Sequence, residues 1–215
     1  MNSKALESKW QKKWEEAKVF ESEPKDGQEK YFVNCPYPYM NGYLHLGHAF
    51  TYLRADMVSR YQRMKDKNVL FPFAFHCTGT PIVAAAQRVK EGEKIQINAL
   101  KQMGLSDRLI KKFSEPEEWT KHFPDKAIED LKTFGSSIDW RRSFITTSLN
   151  PPYDKFIRWQ FNQLLKNDYL IKGSFPVVWC PKRETVVGDH DRLSGEGETP
   201  QEYTLLKFKG DDDYL

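Results

Sequence analysis

A chain of 215 residues with 39% hydrophobic and 29% charged residues has the composition of an ordinary globular protein, with one core and room for a small appendage. Its formal net charge of +3 is too small to predict nucleic-acid binding without a local basic patch. No apolar window is long enough for a membrane span and the first residues lack a secretory signal, so we expect a cytoplasmic protein with no membrane partner.

The first predicted elements are a helix and a strand. Residues 3–20 place apolar side chains at helical spacing, which predicts an amphipathic helix that packs on the core. After a polar loop, the run YFVNC, which begins at Tyr31, is typical of a strand. The following PYPYMNG cannot extend that strand, because two prolines lack a backbone N–H and Asn-Gly favours a turn.

Strand and helix then alternate. A helix is expected from about His45 to Arg63, and the aromatic run KNVLFPFAF predicts a second strand. The next helix should begin near Pro81, since proline is favoured in the first helical turn. Residues 91–135 are polar and predict a helical insertion on the surface that ends at Gly135.

A third strand is expected in SIDWRRSFITT, before a strong amphipathic helix that Asn150 caps. This helix should turn its large apolar side chains inward: Phe156, Trp159, Leu164 and Leu165. Strands that alternate with helices of crossover length predict a parallel sheet covered by helices, the doubly wound α/β class.

From about residue 173 the pattern changes to short β-like runs separated by Gly, Pro and Asp. We therefore expect an α/β domain over residues 1–172, with the helical insertion at about 91–135 inside it. A small β-rich appendage should cover residues 173–215.

The sequence HLGH carries the strongest chemical signal. It falls where the first strand leads into a helix, and ligands of parallel sheets collect beyond the carboxyl ends of strands. His45 and His48 share a face of the first helical turn, where free amides and the helix dipole attract anions. Gly47 lets a flat ring or a phosphate approach the backbone. These residues predict a triphosphate or adenine site in which imidazoles stabilise charge that develops at an α-phosphate.

Other interpretations of the histidine pair stay open. The two residues could be half of a metal site, although further zinc ligands are not evident nearby, or incidental surface residues. The three cysteines, Cys35, Cys77 and Cys180, contain no C-x-x-C pair, so neither a disulfide framework nor a zinc knuckle is indicated. GDHDR at 188–192 is a poor ligand set. We therefore predict no metal site.

The motifs together resemble the class I aminoacyl-tRNA synthetases, whose first signature has the form His-x-Gly-His. Within that class, PYPYMNGYLHLGH, LFPFAFHCTGTPI, DWRRSFITT, FIRWQF and GDHDRLSGEGETPQEYTLLK follow one another as in leucyl-tRNA synthetases of the archaeal and eukaryotic cytosolic type. The resemblance implies the N-terminal half of a Rossmann-like catalytic domain, followed from about residue 173 by the first, incomplete leg of a connective and editing insertion.

The same resemblance implies that ATP, as its Mg²⁺ complex, activates leucine to leucyl-adenylate before transfer to tRNA(Leu), with no tightly bound cofactor. His45 and His48 would be the catalytic residues that contact the ATP phosphates. Gly47 would lie under the adenine, and Asn41 would also belong to the ATP site.

Three further residues match the leucine pocket of the family. Tyr37 and Tyr39 correspond to pocket walls. His76 corresponds to a place where related class I enzymes carry an Asp for the substrate ammonium, so its role is open. Each also has a structural interpretation, because loops beside a sheet often bury aromatic rings and a buried histidine is usually hydrogen-bonded.

The family's second signature, a Lys-Met-Ser-Lys-Ser loop, is not found in these residues, and a half-sheet would have an exposed edge. We therefore expect activity to need a complementary C-terminal half, or the chain to self-associate through that edge. Two other functions stay open: a short paralogue that adenylylates a different acid, and a non-catalytic module that binds nucleotide, tRNA or protein.

Overall fold

The computed structural model describes residues 3–174, 176–181 and 184–186. The chain divides into two compact units, Met1–Pro176 and Val177–Leu215. The functional division into a catalytic part over 1–172 and an insertion leg over 173–215 is kept as a proposal. GDHDR, at 188–192, lies outside the described residues.

The first unit combines helices with short strands. Its helices are α1 Ser3–Glu16, α2 Leu46–Met64, α3 Thr80–Lys90, α4 Lys94–Gln102, α5 Asp107–Lys112, α6 Pro116–Thr133 and α7 Pro151–Lys166, with a 3-10 turn at Trp140–Arg142. Its strands are β1 Lys30–Phe32, β2 Asn68–Leu70, β3 Ala74–Phe75 and β4 Phe144–Ile145. In the second unit, β5 Trp179–Cys180 pairs with β6 Thr185–Val186 in antiparallel orientation.

The strands of the first unit run parallel. β1 pairs with β2, and β3 pairs with β4. A parallel bridge between Tyr39 and His76 extends the first pair, and the Asp139 N–H donates to the Phe71 carbonyl at 2.9 Å beside the second. The segment that holds β2 and β3 therefore lies between the other two, with helices in the connections. This confirms the predicted α/β class with parallel pairing.

The predicted second strand is interrupted. KNVLFPFAF forms β2 and β3, separated by Phe71, Pro72 and Phe73. Pro72 cannot donate a backbone hydrogen bond, so a regular ladder does not continue through it. Both phenylalanines are fully buried, at 0% exposure, which makes this break part of the core.

The core extends from the strands into the 91–135 segment. This segment is helical, as predicted, but it is not confined to the surface, because Phe113, Trp119 and Phe123 are buried and their rings lie 4.8–5.5 Å apart. Gly135 follows α6 with φ 80°, the left-handed conformation that ends many helices.

Helices α1, α2 and α7 expose apolar side chains. α1 packs on α6 but leaves Leu6 and Trp10 largely exposed. α7 begins after Asn150, as predicted, yet it contains no buried residue. Its apolar side chains are all exposed: Phe156 54%, Trp159 56%, Leu164 38% and Leu165 54%. The prediction that they face inward is wrong, because no described element covers this face. None of the described helices has the length and apolarity of a membrane span.

Candidate functional site

His45 and His48 form the N-terminal cap of α2. His45 is the N-cap residue, in an extended conformation with φ −132° and ψ 175°, so the helix begins one residue later than predicted. The Gly47 N–H donates to His45 Nδ1 at 3.1 Å, and the His45 N–H donates to His48 Nδ1 at 3.2 Å. The ring centroids lie 4.0 Å apart. The local backbone therefore orients both rings.

These hydrogen bonds also define where the ring protons are. Each Nδ1 accepts from a backbone N–H, so the N–H that each ring can donate to a ligand is the one on Nε2. Burial lowers the pKa of His48, and the neighbouring His45 lowers it further. The cap therefore offers two Nε2–H donors at the positive end of the helix dipole, an arrangement suited to an anion.

Gly47 makes room for the His45 ring. A Cβ added at Gly47 would lie 2.9 Å from His45 Cε1 and 3.0 Å from its Nδ1, closer than these atoms pack in proteins. The glycine thus preserves the geometry of the cap, besides leaving the backbone open to a ligand.

A continuous row of aromatic rings connects His48 with Tyr37. His48 stacks on Tyr52 at 5.9 Å, Tyr52 meets Phe73 edge-on at 5.0 Å, and Phe73 contacts Tyr37 at 6.1 Å. Tyr37 is half-buried and also contacts Phe144 of β4 at 5.9 Å. Tyr37 therefore packs on the core, as the structural interpretation expected, and its place in a leucine pocket stays a prediction.

Tyr39 and His76 form a second ring pair, with centroids 4.1 Å apart. Their backbones are joined in parallel: the His76 N–H donates to the Pro38 carbonyl at 2.9 Å, and the Met40 N–H donates to the His76 carbonyl at 3.1 Å. Burial lowers the pKa of His76, and its Nδ1 is buried without a hydrogen-bond partner. The pair lies beyond the carboxyl ends of β1 and β3, where ligands of parallel sheets bind.

A loop of residues 41–45 joins the two ring pairs. Asn41 is exposed in it. Sequence reasoning missed Tyr43, which contacts α6, and Tyr52, which supports His48. The position of Tyr52 four residues after His48 was a usable signal, since such pairs meet on a helix.

The described part of the chain contains no group of three or more His, Cys, Asp or Glu side chains that could hold an ion. A cavity of about 440 Å³ lies between α1 and the segment that follows α6, with walls that include Trp14, Phe20 and Trp140. None of the predicted site residues lines it.

Comparison with known proteins places these features in context. The sequence model described as tRNA synthetases class I (I, L, M and V) matches residues 9–203. Leucine--tRNA ligase of Aeropyrum pernix is 50% identical over 97% of this chain and 22% of that protein. Leucine--tRNA ligase of Methanococcoides burtonii is 46% identical over 98% and 22%. "Leucine--tRNA ligase, cytoplasmic" of Pongo abelii is 40% identical over 96% and 22%. The chain thus spans about 22% of the length of these relatives.

A solved structure shares the fold. The crystal structure of the Agrobacterium radiobacter K84 agnB2 LeuRS-tRNA-LeuAMS ternary complex matches with a TM-score of 0.63 and 24% identity, over 84% of this chain and 20% of that chain. At this identity the likeness concerns the fold alone, and it agrees with the α/β architecture described above.

Proposed function

This chain belongs to the class I tRNA synthetases, and from that premise we propose that it is the part of a leucine--tRNA ligase that binds ATP and leucine. The chain spans about 22% of the relatives' length. Activation of leucine by ATP and transfer to tRNA(Leu) are therefore proposed for its assembly with the remaining part of such an enzyme.

The His45–His48 pair carries this proposal. Two Nε2–H donors, held by the helix cap with ring centroids 4.0 Å apart, can bind adjacent oxygens of a triphosphate. Preorganised donors of this kind stabilise charge that develops at a phosphorus in the transition state. In the proposal both histidines are catalytic, Gly47 and Asn41 complete the ATP site, and Mg²⁺ enters with ATP as part of the substrate.

Leucine is proposed to bind beside the Tyr39–His76 pair. Because burial lowers its pKa, His76 is neutral near pH 7, so its ring can accept a hydrogen bond from the substrate ammonium. The rings of Tyr39, which is 37% exposed, and of Tyr37 would form apolar walls for the aliphatic side chain.

We propose that one face of α2 docks the remaining part of the enzyme. Apolar side chains along this face are exposed: Leu46 87%, Phe50 60%, Met57 62%, Tyr61 53% and Met64 85%. Contiguous apolar surface of this kind marks an interaction site.

Among the described strands, β1 pairs only with β2, so its second edge is available for a further strand. The proposed occupant is the complementary C-terminal part, because the chain spans only about 22% of the relatives' length. Self-association through the same edge is the competing outcome.

The cytoplasmic location predicted from the sequence remains part of the proposal. It is supported by the name of the Pongo abelii relative, which includes the word cytoplasmic.

The function is tested by leucine-dependent ATP–pyrophosphate exchange. The chain is assayed alone and after addition of the complementary part of the Aeropyrum pernix relative. We expect exchange only in the combined sample. His48→Ala should raise the activation free energy by about 2–4 kcal/mol, the typical loss for one preorganised donor.

His45→Asn separates the chemistry of the ring from the helix cap. Asn is among the best N-cap residues, so α2 should keep its stability while exchange is lost. Exchange at the wild-type rate in either variant would refute the catalytic role. Exchange with an acid other than leucine would favour a paralogue with another substrate, and ATP binding without any exchange would favour a binding module.

A further inference from the structure

The loop of residues 41–45 is fixed at both of its ends. Met40 is fully buried before it, at 0% exposure, and its N–H donates to the carbonyl of His76. After it, His45 caps α2. Between these points, residues 41–44 make no backbone–backbone hydrogen bond within the described chain. A stretch without such bonds is ordered only as far as its side chains pack.

Tyr43 supplies that packing from the middle of the loop. Its hydroxyl lies 3.4 Å from His122 Nε2, and its ring meets Phe123 edge-on with centroids 5.4 Å apart. Phe123 is 1% exposed and is held in turn by Phe113 and Trp119, at 5.4 and 5.5 Å. Tyr43 therefore rests on the rigid aromatic cluster of α5 and α6.

A second contact joins the loop to α4. A Cβ added at Gly42 would lie 3.3 Å from Met103 Cε, so the Met103 side chain, at the end of α4, reaches the loop backbone. The end of α4 and helix α6, both within the 91–135 segment, thus touch two consecutive loop residues. Sequence analysis gave this segment no role in the site.

The electrostatics of His122 suit the contact with Tyr43. Burial lowers the pKa of His122 first, and Lys126 lowers it further, while the carboxylates of Asp125 and Glu129 oppose the shift. His122 is therefore neutral near pH 7, and its Nε2 can accept the Tyr43 O–H.

We infer that Tyr43 is a positioning residue through which α6 holds the His45–His48 pair in the geometry that binds nucleotide. Only Leu44 separates Tyr43 from His45, so a displacement of Tyr43 reaches the cap, where the Gly47 N–H to His45 Nδ1 distance is 3.1 Å. The inference rests on the proposed function of the pair. It makes the helical segment of residues 91–135 a determinant of ATP affinity.

The first test measures the ATP dissociation constant by calorimetry on the whole chain. Tyr43→Phe keeps the ring contact with Phe123 and removes one neutral hydrogen bond, so the constant should rise about threefold. Tyr43→Ala removes the ring as well, and the constant should rise about tenfold or more. Tyr169→Phe, on a ring that is 80% exposed, is the matched control and should bind as the wild type does.

Variants of His122, the residue of α6 that contacts Tyr43, test whether α6 positions the loop through this contact. His122→Gln keeps a side-chain acceptor and should retain most of the affinity, whereas His122→Leu should match Tyr43→Phe. Both changes remove the same contact. The double variant Tyr43→Phe/His122→Leu should therefore lose no more ATP affinity than either single variant does. Fully additive losses would mean that the two residues act separately and would overturn the inference.

The second test separates this inference from the proposed function. NMR spectra of the histidine rings report the surroundings of His45 and His48 without nucleotide, and Tyr43→Ala should shift both sets of signals while Tyr169→Phe leaves them unchanged. If the wild-type chain fails to bind ATP, the proposed function is refuted. The ring signals recorded without nucleotide would still test whether Tyr43 positions His45 and His48. Unchanged ring signals in a folded Tyr43→Ala variant would refute positioning even if the wild type binds ATP.

Discussion

Replacing Gly47 by Ala places the sharpest strain on the helix cap. The new Cβ would lie 2.9 Å from His45 Cε1, so the ring must rotate away. His45 is exposed and can move, but it then loses the hydrogen bond from the Gly47 N–H. Loss of an N-cap bond typically costs about 1 kcal/mol of stability. Ala is better than Gly in a helix by about 1 kcal/mol, which offsets this loss.

The two terms nearly cancel, so we expect the free energy of unfolding of Gly47→Ala to stay within about 1 kcal/mol of the wild type. Nucleotide binding has no such compensation. A displaced His45 no longer donates to phosphate, and a hydrogen bond to a charged group contributes about 1.5–3 kcal/mol, which corresponds to roughly a tenfold or larger rise in the ATP dissociation constant.

The assay pairs urea unfolding, followed by circular dichroism, with calorimetric ATP titration of the same samples. Gly173→Ala is the matched control, because a Cβ at Gly173 would meet nothing within 4 Å. Wild-type ATP affinity in Gly47→Ala would refute the reasoning, since the His45 ring would then not need its observed position. Unfolding of the variant would show that the cap cannot relax as described.

Three further outcomes are expected. Lowering the pH should lower the urea midpoint between about pH 7.5 and about pH 5.5, and an unchanged midpoint would contradict this. Burial lowers the pKa of three histidines below the ordinary 6.5: His48, His76 and His122. Their contribution to stability is therefore present above pH 6.5 and is lost as the pH falls toward their pKa values in the folded chain. Asp139→Asn should destabilise the chain by about 1–3 kcal/mol, because the carboxylate is 0% exposed and pairs with Arg141 and Arg142. Asp154→Asn, which breaks an exposed pair, should stay within about 0.5 kcal/mol in the same urea assay, and equal effects would contradict the distinction. Met57→Lys should leave the chain's stability unchanged but prevent assembly with the complementary part in sedimentation, and normal assembly would refute the α2 docking surface.

Local sequence patterns were enough to predict the alternation of strands and helices and the position of the His45–His48 pair. Prolines, Asn-Gly and apolar periodicity act over a few residues, so they can be interpreted from one chain. The same information predicted α7 and its start after Asn150 correctly. It failed on the direction of the apolar face of α7, because burial depends on which element covers a face, and none does among the described residues.

Long-range contacts explain what sequence reasoning could not find. Tyr43 and His122 are separated by 79 residues and meet only because α6 packs beside the nucleotide loop. The steric role of Gly47 depends on the extended backbone of His45, which follows from the cap rather than from the motif. The strand breaks at Pro72 because proline has no backbone N–H. The proline was visible in the sequence, but the aromatic residues around it favoured one continuous strand.

The central claim is that the His45 and His48 rings bind the phosphates of ATP at the start of α2. NMR titration of the histidine ring signals with Mg-ATP tests it most directly. We expect saturable shifts of both sets of signals with one midpoint, and smaller shifts with adenosine, which lacks the phosphates. Binding of ATP that leaves both rings unperturbed would contradict the claim.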